Sequence, residues 1–196
     1  MKLIYKGTYH SEADLPTHTH PAGYVPFREP EDMQQLARMM SRIGLVLTAA
    51  VFALLVLRGF PYLRSRGIYA FYGMALSLLT LLPHELLHGI CFKGEAELWT
   101  NLKMGMLFVV GTEDMSKVRF VFMSLLPNLL FGIVPFALFL AQPHRLLLGA
   151  LGATCIPMGI GDYYNVYNCL TQVPKGALVY LSGMHSYWYI PEGGTV

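Results

Sequence analysis

The 196 residues are 54% hydrophobic and only 13% charged. Soluble domains carry about twice that share of charge, so the balance excludes an ordinary water-soluble domain and points to a membrane. A formal net charge of +2, with no basic stripe interleaved with aromatics, excludes nucleic acid as a partner.

Residues 1–30 are polar and punctuated by Pro16, Pro21, Pro26 and Pro30. They predict a strand near Lys2–Tyr9 followed by ordered loop, and they lack the basic-then-apolar order of a cleavable signal peptide. Glu31 and Asp32 after Pro30 predict a helix start, with an amphipathic helix over Glu31–Arg42. Ile43–Leu57, between Arg42 and Arg58, predicts a first spanning helix. Gly59–Gly67, with Pro61, Arg64 and Arg66, predicts a tight polar connection. Ile68–Phe92 predicts the second span. Its interior charge, Glu85, has no counterpart in the other apolar runs.

Residues 93–118 are mixed. Glu95–Trp99 and Met104–Val110 predict a hairpin around Thr100–Asn101. Val118–Ala141, with Pro127 and Pro135, predicts a third span, and Arg145–Tyr163 a fourth after the Gln142–His144 link. A turn at Pro174–Gly176 then leads into a strand-like stretch, Ala177–Leu181. Cys91, Cys155 and Cys169 are scattered and form no C-x-x-C pair, so no disulfide framework is expected. The expected fold is an all-α membrane protein: a bundle of about four transmembrane helices with a small β element between the second and third. Three regions follow: a polar N-terminal segment with its amphipathic helix (1–42), a transmembrane core (43–163) and a C-terminal tail (164–196).

His84, Glu85, Leu86, Leu87 and His88 spell H-E-x-x-H. On a helix, residues four apart share a face one turn apart, so two imidazoles can reach one tetrahedral metal. The glutamate beside the first can hold a water without being a ligand. A carboxylate in a spanning helix costs about 2.5–3.5 kcal/mol on insertion scales, which favours a function for Glu85. The bland alternative is a hydrogen-bonded polar cluster at a helix end.

A catalytic zinc needs a third protein ligand. His10, His18, His20, His144 and His185 lie in loops or tails, whereas Asp162 sits at the far end of another apolar run. Arg66 to His84 is roughly 27 Å of helix and Arg145 to Asp162 roughly 26 Å, which brings both to one depth near the same face. The alternative reading of Asp162 is an interfacial helix-end carboxylate. Asn128, in the third span, is a candidate substrate or oxyanion contact, or else a hydrogen-bonding link between helices near the backbone groups that Pro127 leaves open. Tyr163, Tyr164 and Tyr167 read as an interfacial aromatic belt.

With these motifs the sequence resembles the site-2 protease class of intramembrane zinc peptidases, and within it a compact zincin peptidase family. That class pairs H-E-x-x-H on one span with an N-P-x-x-x-x-D-G-type motif on a later one. Pro157 precedes Asp162 by the same spacing, although Ile156 stands where the Asn would be and Tyr163 where the Gly would be. The resemblance implies zinc as cofactor, held by His84, His88 and Asp162, with Glu85 as catalytic base. It also implies a membrane-associated protein or peptide as substrate.

With the N-terminus inside, the cytoplasmic segments hold Arg38, Arg42, Lys93, Lys103, Lys117, Arg119 and Lys175, and the opposite side Arg58, Arg64, Arg66 and Arg145. That asymmetry favours cytoplasmic N- and C-termini for a multi-pass protein of the plasma membrane, with the metal near the cytoplasmic face. The rival expectation is a non-enzymatic membrane protein that binds or transports metal through the same His/Glu/Asp cluster. Transport normally requires polar groups spread along a path, whereas here they gather near one face.

Overall fold

The computed structural model describes residues 2–30, 33–101 and 105–192. Glu31 and Asp32 at the expected helix start, and Lys103 and Met104 in the expected hairpin, lie outside them. The chain is mostly helical and forms two compact units: a helical unit (29–84 and 125–163) and a sheet unit (1–28, 85–124 and 164–196).

The helical unit begins with α1, Met33–Leu79. Helical backbone runs through Gly59–Gly67, where the sequence suggested a polar connection. A straight helix of that length would measure about 70 Å. Its contacts with α5 (Leu146–Met158) rule that shape out. Thr48 lines a cavity with Thr154 and Pro157, Gly59 packs on Leu146, and Gly73 sits against Ala150 and Leu151. The Thr80 hydroxyl then lies 3.6 Å from Cys155 Sγ. Thr48 and Thr80 would be roughly 48 Å apart on a straight helix, yet both meet the same end of α5. α1 therefore folds back on itself around Gly59, Pro61 and Gly67, where proline removes a backbone donor and glycine weakens the helix.

Further helices follow the order expected for the third and fourth spans. α3 (Lys117–Asn128) passes through a π-helical turn, Leu129–Ile133, into α4 (Val134–Ala141). α5 stops at Gly159, and the axis turns by 54° into α6 (Ile160–Gln172). Residues 164–172 continue α6. Close approach explains the packing. Gly149 lies under the Phe139 ring and against Leu55, and Gly152 lies against Gly132 and Phe136. Small residues let helices touch where lipid removes the hydrophobic incentive to associate.

Gln34–Leu79 and Lys117–Ala141 are long and apolar enough to cross a membrane, and the bent pair α5–α6 raises the count to as many as three. The helix boundaries thus give two or three candidate spans where four were expected, because α1 is one continuous element. Leu45, Val46, Leu57, Phe60 and Leu79 are each 70–74% exposed, an outward apolar surface suited to lipid.

The sheet unit makes the all-α expectation incomplete. β1 (Lys2–Thr8) pairs in parallel with β3 (Glu95–Asn101), which pairs antiparallel with β4 (Met106–Val110). Thr100 and Asn101, where the sequence suggested the turn, belong to β3. A second sheet runs in the order β2 (Val25–Pro26), β7 (His185–Tyr189), β6 (Leu178–Ser182), β5 (Met115–Ser116). Ala96, Met115, Phe120, Val179 and Cys169 form the core of this unit. Burying a side chain such as Phe120 contributes about 1.5–3 kcal/mol. The remaining helix, α2 (Leu81–Ile90), carries the motif.

Candidate metal centre

Pro83 falls in the first turn of α2, where a missing N–H costs nothing. His84 N–H donates to Thr80 O at 2.8 Å, so the motif is helical from its first residue. Ligand atoms of His84, Glu85 and His88 lie within 4.8 Å of one another, close enough to hold one metal ion.

Each of the three is held by a different partner. His88 Nδ1 lies 3.0 Å from the carbonyl oxygen of Met123. A carbonyl only accepts, so Nδ1 is the donor in that bond. That carbonyl is available for a local reason. Pro127, four residues on in α3, has no N–H to bond it. Glu85 Oε2 accepts from Val109 N–H at 3.0 Å, which lays the carboxylate along β4, an outer strand of its sheet.

In the helical unit, Asp162 Oδ2 lies 3.2 Å from His84 Nε2. Two ligand atoms sharing a tetrahedral zinc at 2.0–2.1 Å are about 3.3 Å apart, so the spacing suits a shared ion. Both side chains are partly buried, 20% and 16% exposed. Asn128 Nδ2 donates to the same Oδ2 at 2.7 Å, which turns Asn128 toward the carboxylate as its support. Asn128 is buried, and Gly159 makes room for it: any Cβ at 159 would fall within its amide. The His84, Glu85 and His88 side chains, two imidazoles and a carboxylate, are donor types that suit zinc.

His185, the alternative third ligand, lies with Nε2 3.5 Å from Glu12 Oε1. Tyr163, expected in an aromatic belt, has a buried hydroxyl.

The far end of α2 is clamped. Arg119 donates through Nε and Nη2 to Cys91 O, and through Nη1 to Glu113 Oε1 at 2.6 Å. Glu113 Oε2 in turn accepts from Lys93 and Gly94 N–H. Burial pushes the Glu113 carboxyl up, but the Arg119 guanidinium and the two backbone donors outweigh it and hold it below the usual range. Arg119 was not singled out from the sequence. A lone Arg opening an apolar helix reads as a flank, and its partner carbonyl 28 residues away leaves no local signal.

No curated protein and no solved structure matches the chain. A family described as “Putative zincin peptidase” matches residues 77–178, just over half of it. That stretch contains His84, Glu85, His88, Asn128 and Asp162, and the chain belongs to this family.

Proposed function

We propose that the protein is an intramembrane zinc metallopeptidase that cuts a membrane-associated protein or peptide near the cytoplasmic face. The observation that carries the reading is the pairing of His84 Nε2 with Asp162 Oδ2 beside the motif, each ligand having its own support. His84, His88 and Asp162 would hold the ion. Zinc bound there supplies Lewis acidity, polarising a peptide carbonyl and acidifying a water.

The remaining steps belong to the side chains. Glu85 takes a proton from water as the water oxygen bonds to the peptide carbonyl carbon. The C–N bond then breaks, and the same proton passes from Glu85 to the leaving amine. Helical substrate must unwind first, because its amides are hydrogen-bonded and sterically covered. An extended segment added along β4 would run beside Glu85, since Val109 N–H already points to that carboxylate.

Support for a multi-pass arrangement comes from the sheet unit. A hydrogen-bonded sheet cannot be divided by a bilayer. β1 pairs with β3, and β2 and β5 share a sheet with β6 and β7. That pairing favours a path in which residues 29–84 and 125–163 each leave a membrane by the face they entered. The folded-back α1 provides two arms for the first return, and the helices from α3 to α5 provide the second. The basic residues favour a cytoplasmic sheet unit and termini, in the plasma membrane.

The test separates ligand from base. Purified wild type should carry zinc near one per chain, and Glu85→Gln should keep it while losing hydrolysis. His84→Ala, His88→Ala and Asp162→Ala should each lose metal, because two protein ligands bind it poorly. Equal metal loss in Glu85→Gln would make Glu85 a ligand and overturn the mechanism.

A further inference from the structure

Two arginines from different parts of the helical unit line one cavity. It holds about 200 Å³, roughly the volume of six or seven liquid waters, between Arg66 and Tyr69 of α1, His144, Arg145 and the first turn of α5. Its walls are held together nearby. A Cβ on Gly73, one turn beyond Tyr69, would collide with Leu147 O, so α1 meets the α5 backbone directly.

The charge in this cavity has one sign. Residues 33–84 and 125–161 contain no Asp or Glu, so the helical arms supply no carboxylate to neutralise Arg66 and Arg145. Both arginines are exposed. Arg58, which donates to Leu140 O, and Arg64 add to the same sign.

The position is that of a headgroup layer. About 27 Å of helix separates Arg66 from His84, close to the roughly 30 Å thickness of a bilayer's hydrocarbon core. Ile68, Tyr69, Phe71 and Tyr72 beside it are exposed, and tyrosine is favoured where lipid tails give way to headgroups. On the topology proposed above, these arginines stand on the side where basic residues are disfavoured, which an anionic partner would offset.

We propose that Arg66 and Arg145 hold the phosphate of an anionic phospholipid, in the leaflet away from the His84–Asp162 pair. Guanidinium groups match phosphate oxygens with paired N–H donors. Leu147 and Leu148, half-buried in the cavity wall, offer the glycerol and acyl ends an apolar cover that a free anion does not need. The inference rests on the multi-pass membrane reading and not on hydrolysis.

Full-length protein in detergent is titrated with phosphatidylglycerol, phosphatidylcholine and glycerol 3-phosphate, and bound molecules are counted by native mass spectrometry. Wild type should bind phosphatidylglycerol about ten-fold more tightly than phosphatidylcholine, a comparison that needs no variant. Arg66→Gln and Arg145→Gln should each weaken phosphatidylglycerol about ten-fold, the loss of a charge-assisted hydrogen bond. Arg64→Gln, outside the cavity lining, should leave it unchanged. Equal affinity for the two lipids, or an equal loss in Arg64→Gln, would overturn the site. Glycerol 3-phosphate binding as tightly as phosphatidylglycerol would overturn the lipid assignment. Two controls separate the underlying readings. Release of the protein from membranes by alkaline carbonate would overturn the membrane reading, whereas a wild type without zinc would count against the peptidase and leave the lipid result standing.

Discussion

Replacing Gly159 by alanine tests whether Asn128 holds Asp162 in place. The backbone at 159 has φ −82 and ψ 18, which alanine adopts readily, so the whole penalty comes from the new methyl group. That methyl would lie 2.5 Å from Asn128 Nδ2 and closer still to the rest of the amide. Non-bonded contacts settle near 3.5–4.0 Å, so the amide must retreat by about 1 Å or more. A 2.7 Å bond to Asp162 does not survive such a shift. Overpacking costs about 1–3 kcal/mol, and losing a hydrogen bond to a charged group costs about 1.5–3, so a loss of about 2.5–6 kcal/mol is expected. Zinc should bind about 10–100-fold more weakly, the usual effect of removing a partner of a ligand. The assay is a zinc competition titration beside chemical denaturation in detergent, run on Gly159→Ala, Asn128→Ala and the double variant. With the amide gone the methyl has room, so the double variant should be no worse than Asn128→Ala alone. Additive losses, or unchanged zinc affinity in Gly159→Ala, would refute the reasoning.

Two other outcomes follow from geometry and charge. Cysteine labelling should place residues 2–28, 93–101 and 174–192 on the cytoplasmic side and Gly59–Gly67 outside; finding β1 and the 93–101 segment on opposite sides would contradict their pairing. The depressed pKa of Glu113 means its stabilisation is complete above the ordinary carboxylate range and fades as pH falls below about 4.5. Arg119→Gln should shrink that acid-sensitive part of the stability, seen as a flatter dependence of melting temperature on pH between about 6 and 3.5.

Local patterns carried much of the architecture. The apolar runs and their Pro and Gly punctuation placed the helices, and H-E-x-x-H brought His84, Glu85 and His88 together by helical spacing alone. The depth comparison of Asp162 with His84 needed only residue counts; the two side chains lie 3.2 Å apart, although Gly159 bends the axis just before Asp162. Gly59–Gly67 misled because its turn signals are real, yet the backbone bends there while keeping helical bonds. What stayed hidden was long-range. β7 pairs with β2 through Val25–Trp188, and no local periodicity announces that partner. The link from Pro127 through Met123 O to His88 joins two helices, so Pro127 reads from sequence only as a donor gap. Arg119 and Glu113 are ordinary surface charges until the end of α2 is set beside them.

Lysines at both ends of β1 give that strand a second role in time. Lys2 and Lys6 pair with Glu95 and Glu97 of β3, residues that leave the ribosome long after β1. At 5–20 residues per second the strand waits roughly 5–20 s for its partner. Through that interval Leu3, Ile4 and Tyr5 lie on an unpaired edge of the kind that seeds aggregation. Two positive charges within seven residues keep such an edge from pairing with its own kind. The same charges then meet their carboxylates once β3 arrives, so the groups that guard the nascent strand end as its ion pairs.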